Sequence, residues 1–387
     1  MELETLPPGV SPHLAGDKEP AILVTGATGF IGRHIVARLV LARRRVAVLA
    51  RSRSGLSPQA RIEKVFGALA QRVAVIEGDL ARPEQLKGSA AGLKFSIDAA
   101  IHCAAEPSFD SSGEATRAVH IEGPMALLEA LSEKGLRSWS QISTAFVCGR
   151  RMGTVYESEG DVGQDFYNGY ERLKLESEIC VTRACAQLGI EWRIFRPGIV
   201  IGLAPLTKGG VPSNVLQTFV RMLVSLSRAS ATSNRSVRIH GCPQAPFNIV
   251  PVEFIAKALE RLWDDREACG KIFHLVPIEP PTQAAMLGMI SEQLGLRRVC
   301  LLGLAEKLSD PSPLESRIAK MLTPYRNYLQ QDVRFDCANA RRLLGARGVS
   351  MPVIDSREVN RLIQLGAGEN RSCDSVGHPV ISSAASV

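Results

Sequence analysis

The sequence predicts an α/β protein built on a Rossmann-like, doubly wound parallel sheet with a small, mainly helical C-terminal substrate lobe. Two observations support this fold class. Six short apolar runs alternate with helical patterns in the first half of the chain, at residues 21–25, 45–50, 72–76, 98–102, 138–143 and 191–195. Such alternation is typical of parallel strands joined by crossover helices. A glycine-rich loop directly after the first run is the second observation.

In that loop the glycines stand three residues apart, at Gly26, Gly29 and Gly32, and an amphipathic stretch follows. We expect the first glycine to form a tight turn, the second to let the backbone approach the phosphates of a dinucleotide, and the third to let the helix pack close to the sheet. A glycine triad alone is weak evidence, but here the strand and the helix flank it. The predicted cofactor contacts of this loop are Thr25, Gly26, Thr28, Gly29, Phe30, Ile31, Gly32 and Arg33.

The end of the second strand indicates which dinucleotide the loop would bind. NAD-specific sites usually place an acidic residue there to bind the adenosine ribose, but this chain has Arg51 and Arg53. Guanidinium groups suit a 2′-phosphate, and Arg33 is close enough in the usual geometry to help. The sequence therefore predicts NADP (as NADPH), with NAD also possible. Solvated loop charges are the alternative interpretation of the two arginines.

Residues after the third and fourth strands complete the predicted adenosine side of the site. Asp79, with Leu80 beside it, can accept a hydrogen bond from an adenine amino group. The small residues Cys103, Ala104 and Ala105 let a ribose lie against the backbone. These five residues are predicted cofactor contacts.

The candidate catalytic residues are Thr144, at the end of the fifth strand, and Tyr170 and Lys174, one turn apart on a helix predicted over 168–188. A free phenol has a pKa of about 10, and the nearby ammonium group and the positive nicotinamide ring would both lower it. Tyr170 would donate a proton to a carbonyl oxygen as hydride reaches the carbon, and Thr144 would hydrogen-bond the same oxygen. Lys174 would also hold the nicotinamide ribose.

The end of the sixth strand supplies the last predicted cofactor contacts. Pro197 stiffens the turn in which Gly198 and Ile199 would meet the nicotinamide carboxamide. A purely structural turn at this place is the alternative, and both interpretations can hold.

Beyond residue 202 the alternation of strands and helices stops. The sequence predicts a flexible lead over 1–19, a dinucleotide-binding core over 20–202, a substrate-lobe insert over 203–246, a return to the core over 247–276, a mainly helical substrate lobe over 277–366 and a disordered tail over 367–387. One or two further strands are expected near 246–252 and 271–276. The lobe is expected above the carboxyl ends of the strands, where open α/β sheets bind their ligands.

Composition limits the remaining classes. The formal charge of +7 is modest for 387 residues and the basic residues are scattered, so nucleic-acid binding is not expected. The nine cysteines form no CxxC pair, which predicts reduced thiols, no metal site and a cytoplasmic location. No signal peptide and no membrane span are expected, because the apolar runs are shorter than the ~18 residues that a spanning helix needs.

Together these motifs resemble the extended short-chain dehydrogenase/reductase superfamily over residues 20–280. The strings at 102–105, 143–147, 168–171, 196–202 and 248–252 resemble its thioester reductase and fatty acyl-CoA reductase branch, the male-sterility-type group. The resemblance implies NADPH-dependent reduction of an acyl thioester to an aldehyde, in some relatives on to an alcohol, with Thr144, Tyr170 and Lys174 as catalytic residues. Leu173 departs from the Ser or Thr that the family usually places before the lysine.

The resemblance also bears on partners. No carrier domain is present in the sequence, so an acyl-carrier protein or coenzyme A would deliver the acyl group. Many relatives pair through the helix that bears the tyrosine, so a homodimer is possible by analogy.

Two other hypotheses stay open at this point. One is another extended-type epimerase, dehydratase or ketone reductase acting on a nucleotide sugar or a sterol-like substrate, with the same catalytic residues. The apolar helical segment predicted over Val215–Leu226 favours an acyl substrate over a nucleotide sugar. The other is a non-catalytic NAD(P)-binding regulator, which would generally lack the tyrosine or the lysine.

Overall fold

The computed structural model describes residues 19–106, 114–202, 237–296, 299–303 and 306–373. In chain order its strands are β1 (Ala21–Thr25), β2 (Val46–Ala50), β3 (Val73–Glu77), β4 (Ile97–His102), β5 (Ser138–Ile142), β6 (Gly153–Val155), β7 (Glu191–Pro197), β8 (Ile199–Ile201), β9 (Val237–His240), β10 (Ile249–Pro251), β11 (Lys271–Leu275), β12 (Val299–Leu302) and β13 (Val333–Phe335). All six strands predicted in the first half of the chain are present.

The helices in the described residues are α1 (Phe30–Leu41), α2 (Pro58–Phe66), α3 (Pro83–Ala91), α4 (Glu114–Arg117), α5 (Gly123–Ser132), α6 (Gly169–Leu188), α7 (Val252–Leu262), α8 (Gln283–Gln293), α9 (Pro313–Leu322), α10 (Ala338–Ala346) and α11 (Ser356–Cys373). A π-helical turn, Ala118–Glu122, joins α4 to α5.

Seven parallel strands form the central sheet in the order β11–β7–β5–β4–β1–β2–β3. The chain runs from β1 outward through β2 and β3, then crosses back to β4 and continues in the other direction. This reversal places a switch point between β1 and β4, where Thr25 lies beside His102. Ligands of open α/β sheets bind in the crevice at such a point. The predicted doubly wound α/β fold is confirmed.

Apolar residues cover both faces of the sheet, as parallel sheets require. Helices α1, α7 and α10 pack on one face, where their side chains join those of the strands in one hydrophobic cluster. Helices α3, α5 and α6 cover the other face. Every residue of β1 and of β2 is buried.

Of the two further strands expected from the sequence, one joins the central sheet and the other does not. Residues 271–275 form β11, the edge strand beside β7. Residues 249–251 pair instead with β8, outside the central sheet. The chain changes partners after Pro197, because the Gly198 amide still bonds to Leu275 whereas the Ile199 amide bonds to Asn248.

The lobe has its own hydrophobic cluster, to which Ile201, Ile239, Met286, Ile318 and Leu362 contribute. It includes the strand pair β9–β12 beside its helices. The segment 333–349 lies within the range that the sequence assigned to the lobe, yet its apolar residues belong to the cluster of the central sheet.

Several segments named in the sequence analysis lie outside the described residues. They are 1–18, 203–236 with the helix predicted over Val215–Leu226, and 374–387. Helix α11 continues to Cys373, into the range that the sequence predicted as a disordered tail.

Candidate active site

The glycine turn between β1 and α1 has the close backbone approaches that its sequence predicts. Gly26 adopts a φ of +67°, and a Cβ there would lie 2.7 Å from the Ala104 nitrogen. A Cβ on Gly32 would lie 2.2 Å from the Gly26 carbonyl oxygen, and one on Gly29 would lie 3.0 Å from it. No side chain caps α1 at Gly29, so its first amides can bind an anion.

Thr25 holds the ends of β1 and β4 together beneath this turn. Its hydroxyl oxygen accepts hydrogen bonds from the amides of Cys103 and Ala104, each at 3.2 Å, and lies 2.9 Å from Nδ1 of His102. The crevice at the switch point is therefore braced by side-chain contacts that cross from one strand to the next.

A cavity of about 380 Å³ opens above this crevice. Eleven of the predicted cofactor contacts line it: Thr25, Gly26, Thr28, Gly29, Arg51, Arg53, Asp79, Leu80, Cys103, Ala104 and Ala105. The other eight predicted contacts do not line this cavity: Phe30, Ile31, Gly32, Arg33, Lys174, Pro197, Gly198 and Ile199. Its lining combines residues of the glycine turn with the arginines that follow β2.

Arg61 joins Arg51 and Arg53 at the rim of the cavity. Its guanidinium donates to the Thr28 hydroxyl at 3.0 Å and to the Arg51 carbonyl oxygen at 2.5 Å. Burial and the neighbouring charges of Arg53 and Arg51 lower the pKa of Arg61. The sequence analysis missed this residue because no motif marks it; the short helix α2, capped by Ser57, brings it back to the glycine turn.

Two predicted cofactor contacts have other partners in the protein. Asp79 forms an ion pair with Arg51 at 3.0 Å and accepts a hydrogen bond from the Ala81 amide. Arg33 donates to the carbonyl oxygens of Gly29 and Thr28 at 3.1 and 2.9 Å, so it braces the glycine turn.

Helix α6 carries the candidate catalytic pair and begins where the sequence predicts. The Asn168 side chain caps it by accepting the Glu171 amide at 3.0 Å. One turn further, the buried Lys174 ammonium donates to the Ile142 carbonyl oxygen at 2.7 Å. This bond joins α6 to the end of β5, two residues before Thr144. Burial lowers the pKa of Lys174 to about 8, and the Glu178 carboxylate opposes that shift.

Tyr170 is partly buried, and its ring lies edge-on to that of His120 with centroids 5.7 Å apart. Burial, and then the Glu171 carboxylate, raise the pKa of Tyr170 to about 12. From the sequence we expected Lys174 to lower the pKa of Tyr170. The groups of the protein, without a bound cofactor, raise it instead. The phenol is therefore protonated at neutral pH, as a proton donor must be.

Thr144 lies at the end of β5, buried, and begins a short 3₁₀ turn. Its hydroxyl oxygen accepts a hydrogen bond from the Phe146 amide at 3.3 Å. The neighbouring Ser143 hydroxyl is buried and has no hydrogen-bond partner among the residues that the structure describes. The strand end thus presents two hydroxyl groups near the Lys174 anchor.

A buried ion pair, which the sequence analysis also missed, lies next to Lys174. Arg196 donates to both oxygens of Glu178, at 3.0 and 3.2 Å from Nε and 2.6 Å from Nη2, and to the Glu159 carbonyl oxygen at 2.8 Å. It fixes the end of β7 directly before Pro197. The pair therefore connects the catalytic helix with the turn predicted to face the nicotinamide.

A second, apolar cavity of about 90 Å³ lies in the lobe. Its lining is mainly aliphatic and aromatic, and includes Ile199, Phe247, Met286, Leu287, Ile290 and Tyr328. Tyr328 also donates its hydroxyl hydrogen to Glu171, next to Tyr170. Sequence reasoning had no signal for this contact, because the two residues are 157 positions apart.

The described residues contain neither a candidate metal site nor a candidate membrane-spanning helix. They contain no cluster of three His, Cys, Asp or Glu that could hold a metal ion. In the same part of the chain, no helix combines the length and the apolar character that crossing a bilayer requires.

Comparison with known proteins agrees with this geometry. The sequence profile of the male sterility protein family matches residues 24–259. A carboxylic acid reductase from Mycobacterium marinum is 26% identical over 287 residues, 66% of this chain and 24% of that protein. The chain thus spans about a quarter of this curated relative.

Two solved structures share the fold. The terminal R domain from the myxalamid PKS-NRPS biosynthetic pathway has a TM-score of 0.72 and 23% identity, covering 91% of each chain. A thiolation-reductase di-domain from an archaeal non-ribosomal peptide synthetase has a TM-score of 0.69 and 17% identity, covering 91% of this chain and 76% of that one.

Proposed function

Because the chain belongs to the male sterility protein family, a branch of the extended short-chain dehydrogenase/reductases, we propose that it uses NADPH to reduce an acyl thioester to an aldehyde. The single observation that carries this proposal is the Lys174 bond to the Ile142 carbonyl oxygen. That bond joins the helix that carries Tyr170 to the end of β5, two residues before Thr144. The names of the relatives, a carboxylic acid reductase and a thiolation-reductase di-domain, support a thioester as the substrate.

Each residue has a distinct task in this reaction. NADPH, when bound, supplies the hydride. Thr144 donates a hydrogen bond to the thioester carbonyl oxygen and orients it, and Tyr170, whose pKa lies well above neutral pH, gives that oxygen its proton. Lys174 would hold the ribose of the bound cofactor. The resulting hemithioacetal loses its thiol and leaves the aldehyde.

We propose NADPH rather than NADH because three guanidinium groups meet at the rim of the adenosine cavity. Arg61 and Arg53 would bind the 2′-phosphate, and Arg51 would contribute once its pairing with Asp79 is shared or exchanged. Charge-assisted hydrogen bonds of this kind contribute about 1.5–3 kcal/mol each. Loss of one should therefore weaken NADPH binding by about 10- to 100-fold.

The acyl group would arrive on coenzyme A or on an acyl-carrier protein. The experiment follows NADPH oxidation and thiol release with decanoyl-CoA and with a decanoyl-loaded carrier protein, beside a ketone and a UDP-sugar panel. We expect thiol release from the thioesters, and a loss of at least about 100-fold in Tyr170→Phe with unchanged NADPH affinity. Turnover of ketones or sugars without thiol release would refute the proposal.

The cofactor proposal has its own test. In Arg61→Ala we expect the Kd for NADPH to rise about tenfold or more, with the Kd for NADH unchanged. Lys64→Ala is the matched control, because it removes one exposed positive charge from the same helix, α2. Equal losses in both variants would indicate a general charge effect and contradict the assigned phosphate contact.

A further inference from the structure

Tyr328 connects the apolar cavity of the lobe with both sides of the candidate active site. Its ring lines the cavity and packs edge-on against Phe146, with centroids 5.0 Å apart. Its hydroxyl donates to Glu171 and accepts a hydrogen bond from the Asn168 side-chain amide at 2.7 Å. One residue of the lobe thereby contacts the strand end of β5 and the beginning of α6.

On the side of α6 the contact reaches Tyr170 through its neighbour. Glu171 is fully buried, and its carboxylate also accepts from the Tyr167 amide at 2.9 Å. Burial raises the pKa of Glu171, and the Tyr328 hydroxyl opposes that shift. The same carboxylate raises the pKa of Tyr170. The Tyr328 hydroxyl therefore helps to set the charge that Tyr170 experiences.

On the side of β5 the contact reaches Thr144. The Phe146 amide donates to the Thr144 hydroxyl oxygen, and the Phe146 ring packs against Tyr328. A displacement of the Tyr328 ring would thus act on Phe146, whose amide is capped by the Thr144 side chain. Tyr328 therefore contacts a residue close in sequence to each hydrogen-bonding group of the proposed reaction: Phe146, two residues after Thr144, and Glu171, directly after Tyr170.

We propose that Tyr328 is a positioning residue through which an apolar chain in the lobe cavity places Thr144 and Tyr170 for catalysis. This inference rests on the proposed thioester reduction. The end of an unbranched acyl chain, a few methylene groups in this cavity of about 90 Å³, packs against the Tyr328 ring and holds the hydroxyl on Glu171. Binding energy from the non-reacting part of the substrate is then used to orient the reacting part. Longer chains should accordingly raise kcat and not only lower KM.

The test compares butanoyl-CoA with decanoyl-CoA in wild type, Tyr328→Phe, Glu171→Gln and the double variant. Phenylalanine keeps the ring and removes only the hydroxyl. We expect kcat for decanoyl-CoA to fall about tenfold in Tyr328→Phe with little change in KM, so that kcat loses its dependence on chain length. The double variant should be no slower than the slower single variant, because both changes break the same contact. Tyr156→Phe, an exposed tyrosine, is the matched control.

The pH profile separates this role from a merely structural one. We expect activity to need the Glu171 carboxylate, which holds the Tyr328 hydroxyl, so that protonation of Glu171 gives the profile of kcat/KM an acidic limb. Without the Tyr328 hydroxyl the pKa of Glu171 rises further, so this limb should move to higher pH in Tyr328→Phe and vanish in Glu171→Gln. One outcome would overturn the inference and leave the proposed function standing. In it, the wild type reduces thioesters, but neither the chain-length dependence nor the acidic limb changes in Tyr328→Phe or in Glu171→Gln. A wild type inert toward every thioester would overturn both.

Discussion

Replacing Glu178 by Gln tests the role of the buried ion pair beside Lys174. The side chains of Arg196 and Glu178 are 1% and 5% exposed, and three hydrogen bonds join them. Removing one partner of a buried pair leaves an uncompensated charge and costs about 3–5 kcal/mol. Since whole proteins are stable by only about 5–15 kcal/mol, urea denaturation should show a large fall in the unfolding free energy.

The same substitution has a catalytic consequence. The Glu178 carboxylate opposes the effect of burial on Lys174, whose pKa is about 8. Lys174 is charged below that pH and neutral above it, so kcat/KM should show a basic limb there. Without the carboxylate the pKa of Lys174 falls further, and the limb should move to lower pH.

Glu176→Gln is the matched control, two residues away on the same helix. Its ion pair with Arg117 is exposed, at 36% and 46%, and such pairs contribute at most about 1 kcal/mol. A loss below about 1 kcal/mol in Glu178→Gln, with the basic limb unmoved, would refute the reasoning.

Two further predictions concern the glycine turn and a buried acid. In Gly32→Ala the new Cβ would lie 2.2 Å from the Gly26 carbonyl oxygen, so the turn must shift; calorimetry should show NADPH affinity at least about tenfold weaker. Gly88→Ala, where a Cβ meets nothing within 4 Å, should leave that affinity unchanged. Glu157 is 2% exposed and accepts the His274 amide at 2.8 Å, and burial raises its pKa to about 7. Because the raised pKa favours the protonated side chain in the folded state, Glu157 adds most to the unfolding free energy below its ordinary pKa of 4.5. This contribution, about 3 kcal/mol, is lost as the pH rises through 7. Relative to Glu157→Gln, wild type should lose that amount of unfolding free energy between these pH values in urea titrations; parallel curves would contradict the assignment.

Much of the fold could be predicted from the sequence because the signals are local. An apolar run, a glycine spacing or an Asn before a helix acts on residues a few positions away. The bounds of α6, predicted over 168–188 and observed over Gly169–Leu188, show how well such signals work when a cap and a left-handed Gly189 mark both ends. The strand near 246–252 was less predictable, since nothing local indicates that β10 pairs with β8 outside the central sheet.

The candidate site divides in the same way. The glycine turn and the Tyr170–Lys174 spacing could be predicted from the sequence, because each lies within one loop or one helix. The side chains that contact these elements from distant parts of the chain could not be predicted. Arg61 is 33 positions from Thr28, and Tyr328 is 157 positions from Glu171.

The sequence by itself determined the order of strands and helices, the turn that suits a dinucleotide and the spacing of the candidate catalytic side chains. Only the tertiary structure decided how those side chains ionise and what holds them. Lys174 was expected to make Tyr170 more acidic, but packing removes the phenol from water and places it beside the Glu171 carboxylate, and both effects raise its pKa. Burial and long-range pairing depend on the whole chain, so no local pattern encodes them.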